Sequence, residues 1–454
     1  MPRPSSREAR RIRKGLVAAT ALVLLPALLT ACGEDSGPVT ITWYTNPDQG
    51  GQAAVAKACS GSEFTIDQQV LPQDAGQQRT QLARRLAAED SGIDLMSLDP
   101  VFTAEFANAG FLADIPDSVQ DTLRSQSFKG AVDAATWEDE LVVLPFWSNT
   151  QVLWYRKDAA KAAGLDMSRP VTWEQIITAA DQLNQEAGSR TTTVGVQANK
   201  YEGYVVWINA LIAGAGGELV SEAEKGVDAN VELDSDAARE AASVIAMLAG
   251  SSAAQPDLSV SNEGTVLPYL YPRDGGQVTP DAGAFVVNWT FVYSTEKGLT
   301  ELAPAEGGIS QDDFENLGWT KYPATVAGQD SRPPYGGIGI GVSEFSEHPD
   351  EAMAAAECIV KPENQGINAE LTGNMPASAE GYDYPALPEI YPEDLLELFQ
   401  QSVDDAAPRP LTPYWSDISG AIQSTWHSPR TVDEDTPEKS ADFVEDILKG
   451  RRLL

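Results

Sequence analysis

Histidine is nearly absent: His348 and His427 are the only two in 454 residues. A zinc-type centre needs clustered His and Cys, and no such cluster exists in the sequence. His348 precedes Pro349 and an acidic helix start, and His427 lies in a Ser/Pro-rich turn, so both read as surface residues rather than catalytic bases. Phosphate-binding loops are missing too. There is no Walker A pattern, and Gly336 to Gly341 lacks the G-x-G-x-x-G spacing of a dinucleotide site. Isoleucines alternate with those glycines, which predicts a strand with close backbone approach. Ser294-Thr295-Glu296-Lys297 matches S-x-x-K but has no K-T-G partner. No metal and no cofactor are expected.

Positive charge is scarce. Lys and Arg total 31 against 67 Asp and Glu, for a formal net charge of −36. Nucleic acid demands a basic face, so that partner is excluded, as is direct attraction to anionic lipid. The acidity reads mostly as a solubility device.

Six basic residues are gathered at the start: Arg3, Arg7, Arg10, Arg11, Arg13 and Lys14. A nearly uncharged stretch, Leu16 to Leu29, follows and closes on Leu29-Thr30-Ala31-Cys32. A basic n-region, a short apolar h-region and a small-residue cleavage site mark an export signal over residues 1–31. The apolar run is too short for a permanent membrane span. A small residue before Cys32 looks like the bacterial lipobox, in which the Cys is lipidated. Residues 32–38 would then be a polar tether, and the protein would sit lipid-anchored at the extracellular face of the cell membrane. The pair Arg10-Arg11 is a weak twin-arginine signal.

Two cysteines remain, Cys59 and Cys358. In an exported chain they read either as one disulfide or as two buried thiols; a bridge would bring the early chain and residue 358 into one lobe.

The rest is too long for one compact core and predicts two lobes. Val39–Tyr44, Phe64–Val70 and Ile93–Asp99 read as strands, separated by helices over Gln52–Ala58 and Gln77–Glu89, with a further helix starting at Phe102. This alternation implies a parallel, doubly wound sheet, with ligands at the carboxyl ends of strands. Asn46 and Asp99 are singled out by that rule. Further strands are expected at Leu141–Trp147, Val152–Tyr155, Ala284–Trp289 and Gly336–Val342. Helices are expected at Lys157–Gly164, Thr172–Ala187, Gly203–Gly214, Asp236–Gly250, Asp350–Val360, Pro392–Val403 and Ala441–Lys449, with a loop-rich stretch from Ala303 to Pro334. No long linker separates the lobes, so the chain is expected to cross between them more than once.

Aromatics recur beside uncharged or acidic polar residues near strand ends and turns: Trp43, Tyr44 and Asn46; Asp99; Trp147 and Asn149; Tyr204 and Trp207; Asn288 and Trp289; Tyr414 and Trp415. A sugar has apolar C–H faces and a rim of hydroxyls, which aromatic faces and Asp, Asn, Glu or Arg side chains match. The enzyme alternative is an exported glycosidase with a carboxylate pair. A third reading, an adhesion or scaffold protein, would bind no sugar.

Several segments carry a family resemblance: Thr42-Trp43-Tyr44, Ile93 to Asp99, Leu144-Pro145-Phe146, Leu153 to Lys157, Val171 to Glu174, Phe285 to Trp289 and Arg409 to Tyr414. In that order they resemble the extracellular sugar-binding lipoproteins of bacterial ABC importers, family 1, of the maltose/trehalose-binding kind. Ser261-Asn262-Glu263-Gly264 and the Arg-Pro-x-Thr-Pro-Tyr segment are most similar to trehalose-binding lipoproteins of the LpqY type. The resemblance implies an α/β, two-lobed periplasmic-binding-protein fold (type II) with the ligand cleft between the lobes. Residues 39–146 with 290–365 would form one lobe, and 147–289 with 366–454 the other. It implies a non-enzymatic monomer that binds an α-linked disaccharide, trehalose first, and delivers it to ABC permease subunits by hinge closure. Carried over, Asp99 and Glu263 would accept from sugar hydroxyls, Asn149 would donate and accept, Trp289 would stack, and Arg409 would donate a forked pair. Asn46, Asp48, Tyr204, Gly337 and Ile338 would form further wall.

Overall fold

The computed structural model describes residues 37–274 and 276–454. The expected signal segment, Cys32 and nearly all of the tether lie outside the described residues.

Eight strands form the main sheet. They are β1 (Val39–Thr45), β2 (Phe64–Val70), β3 (Leu95–Leu98), β4 (Leu144–Arg156), β5 (Thr192–Gly195), β6 (Gly283–Trp289), β7 (Leu317–Thr320) and β8 (Tyr335–Val342). Their order is β2-β1-β3-β8-β4-β6-β5, with β7 also on β4. The all-parallel expectation needs correcting. β1 pairs in parallel with β2 and β3, and β6 with β5, but β8 runs antiparallel to β3 and β4, and β6 and β7 antiparallel to β4. Strands that return from the other half of the molecule enter in the opposite direction, which local strand–helix alternation does not reveal.

The largest departure is β4. The two strands expected at Leu141–Trp147 and Val152–Tyr155 are one 13-residue strand, buried along its whole length. Its first part, Leu144 to Thr150, pairs with β8. From Gln151 onward it pairs with β6 instead. The polar run Ser148-Asn149-Thr150-Gln151 is thus not a turn but the point where the strand passes from one half-sheet to the other. Most of these polar groups find partners inside the fold: Ser148 Oγ donates to Tyr335 Oη at 3.0 Å, Thr150 Oγ1 to the Pro334 carbonyl at 2.8 Å, and Gln151 Nε2 to Gln197 Oε1 at 3.0 Å, while Gln151 Oε1 has none among the described residues. The fold is the two-lobed type II arrangement, mixed α/β, with its cleft at this crossing.

Helices cover the sheet where apolar residues repeat at helical spacing. Thr172 caps the helix Trp173–Ala187 in a full capping box with Gln175. Asp74 accepts from the Gln77 amide and so starts its helix at Ala75, two residues before the expected point. Leu82 and Leu86 of that helix are buried, each worth about 1.5–3 kcal/mol of apolar transfer. The loop-rich stretch also holds a short helix, Gln311–Glu315, before β7. Cys59 and Cys358 are joined in a disulfide, with Cα atoms 5.9 Å apart. It ties the helix Gly51–Cys59 to the helix Pro349–Ile359 beneath β1 and β8.

Candidate functional site

The sheet crossing forms the floor of a cavity of about 460 Å³. That is within the range of small-molecule clefts. Trp147 and Asn149 of β4 lie beside Gly336, Gly337 and Ile338 of β8 on this floor. Side chains alternate along a strand, so Ser148 and Tyr335 face away. Asn46 and Asp48, after β1, and Asp99, after β3, form one wall. Tyr201, Glu202, Glu263 and Trp289 come from the opposite half, and Arg409 arrives on a late connecting segment.

The first wall is held from beneath. Trp43 Nε1 donates to Ser97 Oγ at 3.1 Å, and Ser97 Oγ donates to Gln52 Oε1 at 2.8 Å. Gln52 Nε2 then donates to the Asn46 carbonyl at 2.9 Å and fixes the loop. Asp48 is a helix cap: its two oxygens accept from the Gly50 amide at 2.9 Å and the Gln52 amide at 2.7 Å. Asp99 also caps, accepting from the Val101 amide at 3.2 Å. On the other side Asn288 Nδ2 donates to the Glu263 carbonyl at 2.9 Å and pins that loop. Asn149 Nδ2 reaches Asn374 Oδ1 at 3.3 Å.

Arg409 differs from its expected role. Its fork is already given to protein carboxylates: Nη1 donates to Glu202 Oε1 at 2.7 Å and Nη2 to Asp99 Oδ1 at 3.0 Å. The side chain is 3 % exposed. Burial works against the charged guanidinium, but the Asp99 and Glu202 charges outweigh it and hold Arg409 above its ordinary value. Burial pushes the Glu202 carboxyl up despite Arg409, and burial likewise raises Glu263. The Tyr201 phenol is raised by burial and by the neighbouring Glu263 charge.

Asn46, Asp48, Asp99, Asn149, Glu263, Trp289, Gly337, Ile338 and Arg409 are brought together around the cavity. Tyr204 is not. It is fully buried, and its hydroxyl donates to the Trp426 carbonyl at 3.1 Å. The helix Glu202–Gly214 is buried at every position but Ala213, so an aromatic one turn in meets core rather than cleft. Tyr201, just before that helix, takes the wall position instead. Trp43, Trp207 and Trp415 are also core residues. The sequence reading missed Tyr201, Glu202, Phe291 and Asn374. A tyrosine at a helix N-terminus carried some signal for the first; the others carried none.

Three lining residues hold polar atoms with no hydrogen-bond partner among the described residues, Asn46 Oδ1, Tyr201 Oη and Arg409 Nε. Such atoms cost about 1–3 kcal/mol each when buried unpaired. An acceptor and two donors left free at one cavity fit a hydroxyl-bearing ligand.

The fold and cleft are those of a two-lobed solute-binding protein. Residues 45–366 match the family model described as bacterial extracellular solute-binding protein, and the chain belongs to that family. Among curated relatives, a probable ABC transporter-binding protein of Deinococcus radiodurans is 24% identical over 372 residues, 79% of this chain and 80% of that one. Among solved structures, the maltose-bound MalE3 of T. maritima superposes with a TM-score of 0.75 at 22% identity, covering 91% of this chain and 100% of its own. The GacH receptor of Streptomyces glaucescens, solved with and without acarbose, gives 0.71 at 20% identity over 91% and 99%. The family binds solutes rather than transforming them. The glycosidase alternative gains no support, and Asp99 and Glu202 share one guanidinium instead of facing each other across open space.

Proposed function

We propose that this chain is the receptor of an ABC sugar importer, binding an α-linked disaccharide, trehalose first and a maltose-type sugar second, and passing it to permease subunits by hinge closure. The carrying observation is the lining of the cavity. Trp147, Tyr201, Trp289 and Phe291 supply aromatic surface, while Asp99, Glu263, Asn46 and Asn149 supply acceptors and donors. A disaccharide presents apolar faces and a hydroxyl rim that these two kinds of group match. In this reading Glu263 and Asp99 accept from hydroxyls, Trp289 stacks, and Asn149 both donates and accepts. Asp48 and Arg409 act through the loops they hold. Maltose and acarbose in the structural relatives support the carbohydrate class.

We further propose lipid anchoring through Cys32 after removal of residues 1–31, supported by the basic, apolar and small-residue order of that segment. The lobes are proposed as 39–146 with 290–365 and 147–289 with 366–454, adjusted in two respects. Pairing of β7 with the later part of β4 supports moving residues 317–320 to the second lobe. The partner change between Thr150 and Gln151 supports the first crossing there.

The test is calorimetry and thermal melting of the mature protein with trehalose, maltose and a panel of monosaccharides. Saturable binding of a disaccharide with a raised Tm and no monosaccharide release is expected, because ligand stabilises the folded form by mass action. Monosaccharide release would favour the hydrolase, and no shift with any sugar would end the sugar reading. Separately, Cys32→Ala is expected to release the protein into the medium; retention on membranes would remove the anchor.

A further inference from the structure

Glu202 sits under the cleft wall with three donors on it. Arg409 Nη1 reaches its Oε1 at 2.7 Å, Trp415 Nε1 the same oxygen at 2.9 Å, and Ser419 Oγ its Oε2 at 2.5 Å. Its side chain is 9 % exposed. Ser419 is itself held by Gln423 Nε2 at 3.0 Å. Glu202 is therefore a fixed point, packed into the second half of the molecule at the start of the helix Glu202–Gly214. Asp99 is the opposite case. It follows β3 in the first half-sheet, and its side chain is 23 % exposed at the cavity. Asp99 Oδ1 accepts from both the Val101 amide at 3.2 Å and Arg409 Nη2 at 3.0 Å. No described residue donates to Oδ2.

We propose that Glu202 is a positioning residue for sugar binding: anchored by Trp415 and Ser419, it sets the Arg409 fork, which turns the Asp99 carboxylate so that Oδ2 is left for a ligand hydroxyl. This rests on the sugar-binding reading above. Direction follows from rigidity. A buried carboxylate with three donors has one arrangement, whereas a partly exposed one with a single amide cap can rotate. The guanidinium is planar and presents its nitrogens in a fixed fork, so fixing Nη1 fixes Nη2. The chain Ser419–Glu202–Arg409–Asp99 also runs from one half of the molecule to the other across the cleft. Asp99 is thus presented to ligand only when both halves are in register. Lysine at 409 would be a point charge able to serve one carboxylate but not to orient both.

The experiment is a double-mutant cycle with E202Q, D99A and the pair, read as disaccharide affinity by calorimetry and as urea unfolding of the sugar-free protein. E202Q is expected to weaken binding roughly tenfold, the scale of one charge-assisted hydrogen bond, in the Asp99 background. It should weaken binding no further in the D99A background. R409K should behave as E202Q does and covers the case in which E202Q does not fold. Equal losses in both backgrounds would show a merely structural role and overturn the relay. Should the wild type take up neither trehalose nor maltose, the sugar reading fails, and the unfolding cycle decides the relay. Non-additive unfolding for E202Q and D99A would keep the link through Arg409; additive unfolding would overturn it.

Discussion

Gly336 is the seat of Trp289. A β-carbon built on Gly336 would stand 2.6 Å from Trp289 Cζ3 and 3.0 Å from Asn149 Oδ1. The indole therefore lies against bare backbone of β8, beside the amide of β4. Gly336 is absent from the positive-φ positions, so contact and not backbone freedom requires glycine here. Gly336→Ala is expected to lift the ring off the strand. Affinity for the disaccharide should fall by about 1 kcal/mol, the scale of a displaced aromatic contact, while Tm changes little because the ring is half-buried and can move. Tryptophan fluorescence with calorimetry checks it; unchanged affinity would mean the ring does not face the ligand.

Residues at the cleft and residues in the core should separate cleanly. Glu263→Ala and Trp289→Ala are each expected to weaken sugar binding by about 1–3 kcal/mol. Tyr204→Phe is expected to leave affinity alone and lower unfolding stability by about 1 kcal/mol, since it removes only the bond to the Trp426 carbonyl. Paired calorimetry and urea curves on these variants make the distinction, and a loss of affinity in Tyr204→Phe would restore that residue to the wall.

Glu296 gives the protein a pH signature. It is 1 % exposed, and burial pushes its carboxyl up to about 8. Its Oε2 has no partner among the described residues. In the unfolded chain the carboxyl ionises near its ordinary value of 4.5. Between those values the folded state holds a proton that the unfolded state has lost. Stability from this group is fully present below about pH 4.5 and is lost as pH rises toward about 8. Glu296→Gln, which stays neutral throughout, should therefore raise unfolding stability at pH 8 more than at pH 5, by an amount on the order of 3–4 kcal/mol. Equal shifts at both pH values would show that the carboxyl is not neutral in the fold.

The Cys59–Cys358 bridge spans 299 residues of chain. Closing so long a loop restricts the unfolded state, and its removal is expected to cost about 2–5 kcal/mol. Reduction, or Cys59→Ala with Cys358→Ala, should lower Tm while leaving sugar affinity within about twofold, because neither residue reaches the cavity. A large change in affinity would mean that the bridge sets lobe closure.

Most elements were legible because their signals are local. Thr172 with Gln175 marks a helix start, and alternation marks β2 from Phe64 to Val70. The gathering of Asp99, Asn149, Glu263 and Trp289 was legible through family resemblance, since no spacing rule links positions so far apart. Tyr204 was misread because helical spacing says which residues share a face, not whether that face meets solvent or a second helix. The break expected within β4 followed from its polar tetrad, which reads locally as a turn.

By itself, then, the sequence determined the class of the molecule: an acidic chain of alternating strands and helices with aromatic and amide groups to offer a hydroxyl-bearing solute. Propensity, capping and charge act over a few residues, and those rules are written in the order of the letters. Only the tertiary structure decided that Ser148 to Gln151 cross between half-sheets, that Tyr201 rather than Tyr204 faces the cleft, and that Arg409 is held by Glu202 and Asp99. Those outcomes depend on which buried polar groups meet across hundreds of residues. Pairing and desolvation settle that, and neither can be read from neighbours in the chain.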